Sequence, residues 1–359
     1  MTVLLIANAS SIHTQRAVRY LHEGGWHVHV ASFQRHHIPD AEFHLIPTFK
    51  LGKLGYFFGI LELRMLASRV RPEIFHAHHV TSNGFIATIA RVRPLVISAW
   101  GSDVLVAPEV SAIGRFFVKY ALKRADAVVA EAEHVRAKAV SLGSAESRTH
   151  VVSFGVNLAA FRFRSERREA IGPLRLISTR NHLPVYDVGT FLNALGHLQK
   201  AFSNFTATIA GDGPMRKELE ILAAKLRLRD KVTFVGRVAE EQLGTLLATA
   251  DIFVSTSLSD GENISLNEAM ACGCFPIASA IPANAVIRNG ENGLLFLPGD
   301  ADSLADALEE AIRLRAQWRK IAATNRDSIE RGSNSNNWLR NIEDVYKEAA
   351  RARGNKVLK

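Results

Sequence analysis

A chain of 359 residues is too long for one compact core and suits two domains. Apolar residues make up 47% and charged residues 22%, which excludes a disordered, collagen-like or repeat-array chain. A net charge of +9 admits an anionic partner (nucleic acid, a phosphate-bearing substrate or an acidic membrane), although many soluble proteins are this basic without one.

Apolar runs of strand length alternate with helical patterns from the start. Val3–Ala7 reads as a buried strand, Thr14–Glu23 as a helix ended by Gly24-Gly25, and His27–Ala31 as a second strand. Ile74–His76, Leu95–Ser98 and Ala127–Ala130 follow as strands, with helical stretches such as Ile113–Lys123 between them. A charged stretch, Arg162–Gly172, interrupts the pattern, which then restarts. The second series has strands at Leu174–Ser178, Thr206–Ala210, Val232–Val235, Ile252–Ser255 and Phe275–Ala278. Its helices are expected around Val188–Leu198, Met215–Leu226 and Ile264–Cys272. Trp338–Arg351 reads as one amphipathic helix. Strand–helix alternation of this kind implies parallel sheets covered by helices, here two doubly wound α/β domains with a boundary near Val156–Gly172.

The N-terminus MTVLLIANAS lacks a basic leader, and its apolar run is too short for a signal peptide. No run approaches the ~20 apolar residues of a membrane span. Cys272 and Cys274 lie two apart, which suits reduced core thiols rather than a disulfide that holds the fold. Twelve of the fourteen histidines precede Val151, and His76, His78 and His79 lack a nearby acidic third ligand, so no metal spacing is read among them.

Ser259–Gly273, SDGENISLNEAMACG, carries the chemistry. A strand ends, a turn with Asp260 and Gly261 follows, and a helix begins at Ile264. Helix-start amides attract phosphate, and ligands of parallel sheets bind outside the carboxyl ends of strands. Two acids, Asp260 and Glu268, would repel phosphate and suit sugar and ribose hydroxyls instead; simple capping is the competing reading. Ile209–Pro214 ends a strand in Gly211-Asp212-Gly213, where glycine permits close backbone approach to a ligand. Arg180, at the end of the Leu174–Ser178 strand, suits a clamp on a diphosphate, against a solvated loop arginine as the competing reading.

The acid, seven residues, then Glu268-Ala269-Met270-Ala271-Cys272-Gly273 resembles the signature of family-4 retaining glycosyltransferases, whose two-domain architecture is GT-B. The resemblance implies two Rossmann-like domains facing across a cleft. Residues 1–160 would bind acceptor and 172–330 the nucleotide-sugar donor. Residues 335–351 would form a helix crossing back to the first domain.

The resemblance also implies site roles. Arg180, Asp260, Glu268 and His78 would be catalytic. Gly211, Gly213, Val238 and the amides of Asn263, Ile264 and Ser265 would hold the donor. Ser11, His13, Ser102 and Asp103 would face the acceptor. A structural histidine is the stronger reading for His76, and the balance is even for His78. Tyr186 stands where the family carries a phosphate-binding lysine, and Asp260 where most members carry glutamate.

The implied activity is transfer of a sugar from a nucleotide-diphosphate donor to an acceptor hydroxyl with retention and without a metal. The donor would be a co-substrate, with no separate cofactor. Acceptors would be glycans or lipid-linked sugars of polysaccharide, lipopolysaccharide or other glycoconjugate synthesis, and the location cytoplasmic or peripheral on the inner membrane face. Phe49–Arg71 and Gly114–Arg124 interleave basic and aromatic residues in a manner that suits an anionic membrane surface, against a core helix with a basic edge. The alternatives are a non-catalytic sugar-nucleotide-binding GT-B protein or a sugar-nucleotide epimerase. A dinucleotide oxidoreductase would want Gly-x-Gly-x-x-Gly after the first strand, where Ala7–Ile12 has no glycine. No nucleic-acid-binding motif is present, so nucleic acid is not expected as a partner.

Overall fold

The computed structural model describes residues 1–47, 55–164 and 172–354. The chain forms two units. The first comprises Met1–Phe154 with the C-terminal stretch from Asn336, and the second comprises Gly155–Ser335.

The first unit carries seven parallel strands: β1 (Thr2–Ile6), β2 (His27–Ser32), β3 (Glu42–Leu45), β4 (Ile74–His78), β5 (Leu95–Ala99), β6 (Ala127–Ala130) and β7 (Thr149–Val151). Their order is β3-β2-β1-β4-β5-β6-β7. The second carries β8 (Leu174–Ser178), β9 (Phe205–Ala210), β10 (Val232–Gly236), β11 (Ile252–Ser255), β12 (Phe275–Ser279) and β13 (Leu294–Phe296), in the order β10-β9-β8-β11-β12-β13. All pairings are parallel, so the strands are joined by crossovers, most of which bring a helix back over the sheet. Central strands are covered on both faces, which is why they read as unbroken apolar runs. Leu4, Ile6, Leu95 and Ile97 are buried in the first core, and Leu176, Ile209, Ile252 and Val254 in the second.

Three strands escaped sequence reading: β3, β7 and β13. All are sheet edges of three or four residues. Edge position leaves them half-solvated, so their apolar signal is weak. The helix expected from Thr14 begins at Ile12, and the tail helix begins at Ser335 rather than Trp338.

Residues 155–164 belong to the second unit rather than forming a neutral linker. Val156 N–H donates to the Ser333 carbonyl (2.7 Å) and its carbonyl accepts from Ser335 N–H (3.1 Å). Phe161 is fully buried against that unit's core. The expected charged boundary, Arg162–Gly172, falls largely outside the described residues.

The helix Ser335–Arg351 packs on the first unit. Trp338 stacks on Phe154 (5.4 Å between rings), Trp26 donates to Glu343 (2.9 Å), and the buried Tyr346 hydroxyl pairs with His76 Nδ1 (2.6 Å).

Candidate active site

The signature segment lies at the carboxyl end of β11. Asn263 caps the helix Ile264–Cys272: its Oδ1 accepts the Leu266 N–H at 3.1 Å. Its Nδ2 donates to Ser255 Oγ (2.9 Å) and Asn284 Oδ1 (2.8 Å), and Asn284 donates to the Ser279 carbonyl (2.8 Å). This buried polar network fixes the helix start against the ends of β11 and β12. The helix closes at Gly273, whose φ of 87° is left-handed.

Arg180 follows β8 and reaches the same point. Its guanidinium pairs with Asp260 at 2.5 Å and donates to Asn263 Oδ1 (3.2 Å) and Ser265 Oγ (3.4 Å). It also lies over the Tyr186 ring at 4.1 Å. Tyr186, at the position where the resemblance anticipates lysine, is therefore the aromatic face that carries Arg180. Its loop is bolted in place: Thr256 Oγ1 donates to the Tyr186 carbonyl (2.8 Å), and Leu258 N–H to that of Val185 (2.8 Å).

The Gly-x-Gly loop packs backbone to backbone on the Arg180–His182 loop. Gly211 and Gly213 have φ of 133° and 159°. A Cβ on Gly211 would lie 2.4 Å from the Arg180 carbonyl oxygen, and one on Gly213 would lie 2.5 Å from that of His182. Only glycine fits, and one reason is that the loop sets Arg180. Gly211 N–H donates to the Gly236 carbonyl (2.7 Å), which ties in the turn that leads to the partly buried Val238.

Glu268 is 3% exposed, on the same helix as Ser265. Of the three helix-start amides expected to meet phosphate, that of Ile264 donates to the Glu262 carbonyl at 2.9 Å. A turn at Glu262 thus engages that donor within the chain. Ser265 remains at the helix start beside the guanidinium.

In the first unit, the candidates cluster after β1, β4 and β5. His78 is buried; its Nδ1 meets Thr14 Oγ1 at 3.4 Å, while its Nε2 has no hydrogen-bond partner among the described residues. Burial, with help from His76 and His13, pushes its pKa well below the usual range. His13 packs on Trp100 (5.2 Å) and Phe154 (5.4 Å), with Ser11 at the start of its helix. Ser102 is exposed.

Asp103 is buried. Its carboxylate accepts the N–H groups of Val80 (2.7 Å) and Trp100 (3.0 Å), so it braces the loops after β4 and β5. His76 is structural, bonded to Tyr346 and to Ser98 (2.7 Å); burial pushes its pKa down to about 3. Cys272 and Cys274 are buried and form no disulfide among the described residues.

Sequence reading missed His182. It is fully buried, both ring nitrogens lack hydrogen-bond partners among the described residues, and burial, then Arg216, lowers its pKa. Its backbone exchanges bonds with Asp212 and Met215, so it locks the glycine loop. No local pattern announces such a residue.

Residues 162–328 match the family model described as Glycosyl transferases group 1, and residues 2–132 match Glycosyl transferase 4-like. Among curated relatives, the alpha-monoglucosyldiacylglycerol synthase of Streptococcus pneumoniae is 25% identical over 75% of this chain and 58% of its own length. The amylovoran biosynthesis glycosyltransferase AmsK of Erwinia amylovora is 27% identical over 59% of this chain and 54% of its own length. The chain thus spans less than two thirds of the length of these relatives. The crystal structure of Anabaena HepE in complex with UDP and glucose superposes with a TM-score of 0.80, at 20% identity, over 97% of this chain and 99% of that one, and the fold is GT-B. The two family models together take in both units, and the chain belongs to the group 1, glycosyl transferase 4-like family of glycosyltransferases.

Proposed function

We propose that the protein is a retaining glycosyltransferase that moves a sugar from a nucleotide-diphosphate donor to an acceptor hydroxyl in glycoconjugate synthesis. The observation that carries the reading is the convergence of Arg180, Asn263 and Ser265 at one helix start, with Asp260 and Glu268 bracketing it at the family spacing. In this reading the diphosphate replaces Asp260 as the partner of Arg180. Arg180 and the Ser265 amide then stabilise charge on the leaving group, the role a metal would otherwise fill. Asp260, released, binds sugar hydroxyls, and Glu268 binds the ribose. The partnerless Nε2 of His78 supports a role in contacting donor or acceptor. HepE, crystallised with UDP-glucose, supports a nucleotide-sugar donor, and the diacylglycerol-linked product named for the pneumococcal relative supports a lipid or glycan acceptor.

No helix among the described residues is long and apolar enough to cross a membrane. Peripheral attachment on the cytoplasmic face is supported by exposed Phe58, Leu61 and Met65 on the helix Gly55–Val70, and by Ile113 and Phe116 beside Arg115 and Lys119 on the helix Ala112–Arg124. Within the expected Phe49–Arg71 surface, residues 49–54 and the side chains of Tyr56 and Phe57 lie outside the described residues.

The test is product formation by purified protein from UDP-, GDP- and ADP-sugars in the presence of EDTA. Retention is read from the anomeric coupling in the NMR spectrum of the product. Failure of every donor, or an inverted product, rejects the proposal. Flotation with anionic vesicles tests attachment, and absence of salt-sensitive binding rejects that part.

A further inference from the structure

We infer that His27, His29 and Glu42 form a binding site for a divalent transition-metal ion of the zinc class. Side chains alternate along a strand, so His27 and His29 share one face of β2, and Glu42 and His44 one face of β3. The two strands pair in parallel with His29 opposite Glu42, which brings these groups together on a single surface. One ligand atom from each of His27, His29 and Glu42 lies within 4.8 Å of the others.

His27 Nε2 is 2.8 Å from Glu42 Oε1, and His29 Nδ1 is 3.5 Å from Glu42 Oε2. Two ligands of a tetrahedral zinc ion, each about 2.0–2.1 Å from the metal, stand about 3.3 Å apart. The observed separations bracket that value. His44 Nε2 lies 3.0 Å from His29 Nδ1, beside the three-residue set and not within it.

Neutral imidazole and ionised carboxylate are the forms in which these groups bind a metal.

The place of the cluster separates it from the chemistry proposed above. His27 and Glu42 are the first residues of β2 and β3, at the amino ends of the strands. Donor and acceptor groups sit at carboxyl ends. An ion here ties the four-residue edge strand β3 to its neighbour, and so acts on the stability of the first unit.

The test is Zn²⁺ titration of the purified full chain in competition with a chromophoric chelator, with Co²⁺ absorption as the reporter of geometry. His27→Ala and Glu42→Gln alter side chains more than half exposed, so both variants retain the fold. The expected result is one Zn²⁺ per chain, weakened by about tenfold or more in each variant. Co²⁺ should give a spectrum of nitrogen and oxygen ligands, and transfer activity should be unchanged in Glu42→Gln. Failure of the wild type to bind stoichiometrically, equal binding by the variants, or thiolate charge-transfer bands that place the ion on Cys272 and Cys274 overturns the inference.

Discussion

Arg180→Ala removes more than a phosphate ligand. The Arg180 and Asp260 side chains are 8% and 12% exposed, so alanine leaves a carboxylate in a largely dry setting. Two unit charges about 4 Å apart attract by about 4 kcal/mol at an effective dielectric of about 20, and breaking one side of a buried pair costs about 3–5 kcal/mol. Asp260 keeps the Gly261 N–H at 3.0 Å, which recovers part of that loss. We expect the second unit to lose about 3 kcal/mol. The double variant Arg180→Met with Asp260→Leu removes both charges and should lose much less than the two single changes summed, a coupling of about 2 kcal/mol. The assay is urea unfolding followed by fluorescence of Trp318, the one tryptophan in Gly155–Ser335, packed on Phe275. A wild-type midpoint for Arg180→Ala, or strict additivity of the single changes, would refute the reasoning. It follows that lost transfer in Arg180→Ala must be read beside its stability.

Four further outcomes follow from the geometry. Glu268→Gln is expected to cut turnover at least about a hundredfold if the carboxylate grips the donor, while UDP-induced stabilisation falls with it; near-normal kcat/KM would contradict its role. Gly211→Ala should lower stability by about 2–3 kcal/mol and weaken donor binding, because its Cβ would strike the Arg180 carbonyl and its φ is 133°; normal melting would argue against the backbone contact. Tyr346→Phe leaves His76 Nδ1 unpaired and should cost about 1–3 kcal/mol in denaturant unfolding, and no change would remove the helix anchor. Finally, His76 and His78 stay neutral when folded and take up protons only when unfolded. Stability is therefore complete above the unfolded pKa near 6.5 and falls below it, by about 2 kcal/mol at pH 5 for His76, with His78 acting in the same direction. A flat stability profile from pH 7 to 5 would refute this.

The interior of the fold was legible because strands such as Val3–Ile6 and Ile252–Ser255 are covered on both faces and carry continuous apolar runs. Glu42–Leu45 was not, since an edge strand with His44 and Glu42 alternating has no apolar run to announce it. The family signature was legible because Asp260 and Glu268 stand on one short stretch. Arg180, the partner of Asp260, lies 80 residues away from it, and the stack of Arg180 on Tyr186 depends on a loop bolted to Thr256. Contacts made across such separations leave no spacing to read. Asp103 shows the same limit: a carboxylate in a presumed binding loop looks alike whether it meets a substrate or two backbone amides.

The buried pair of His76 with Tyr346 joins residues 270 positions apart. During synthesis, β1 to β7 leave the ribosome long before the helix that covers them, while Gly155–Ser335 emerges as one uninterrupted stretch. The second unit can therefore complete its core while the first still shows Trp26, Tyr20 and Phe154 to solvent. The first unit stays open to chaperones, and to mispairing with another chain, until residues 336–351 arrive, so a chain cut short before that helix would carry a complete second unit joined to an unfinished first one.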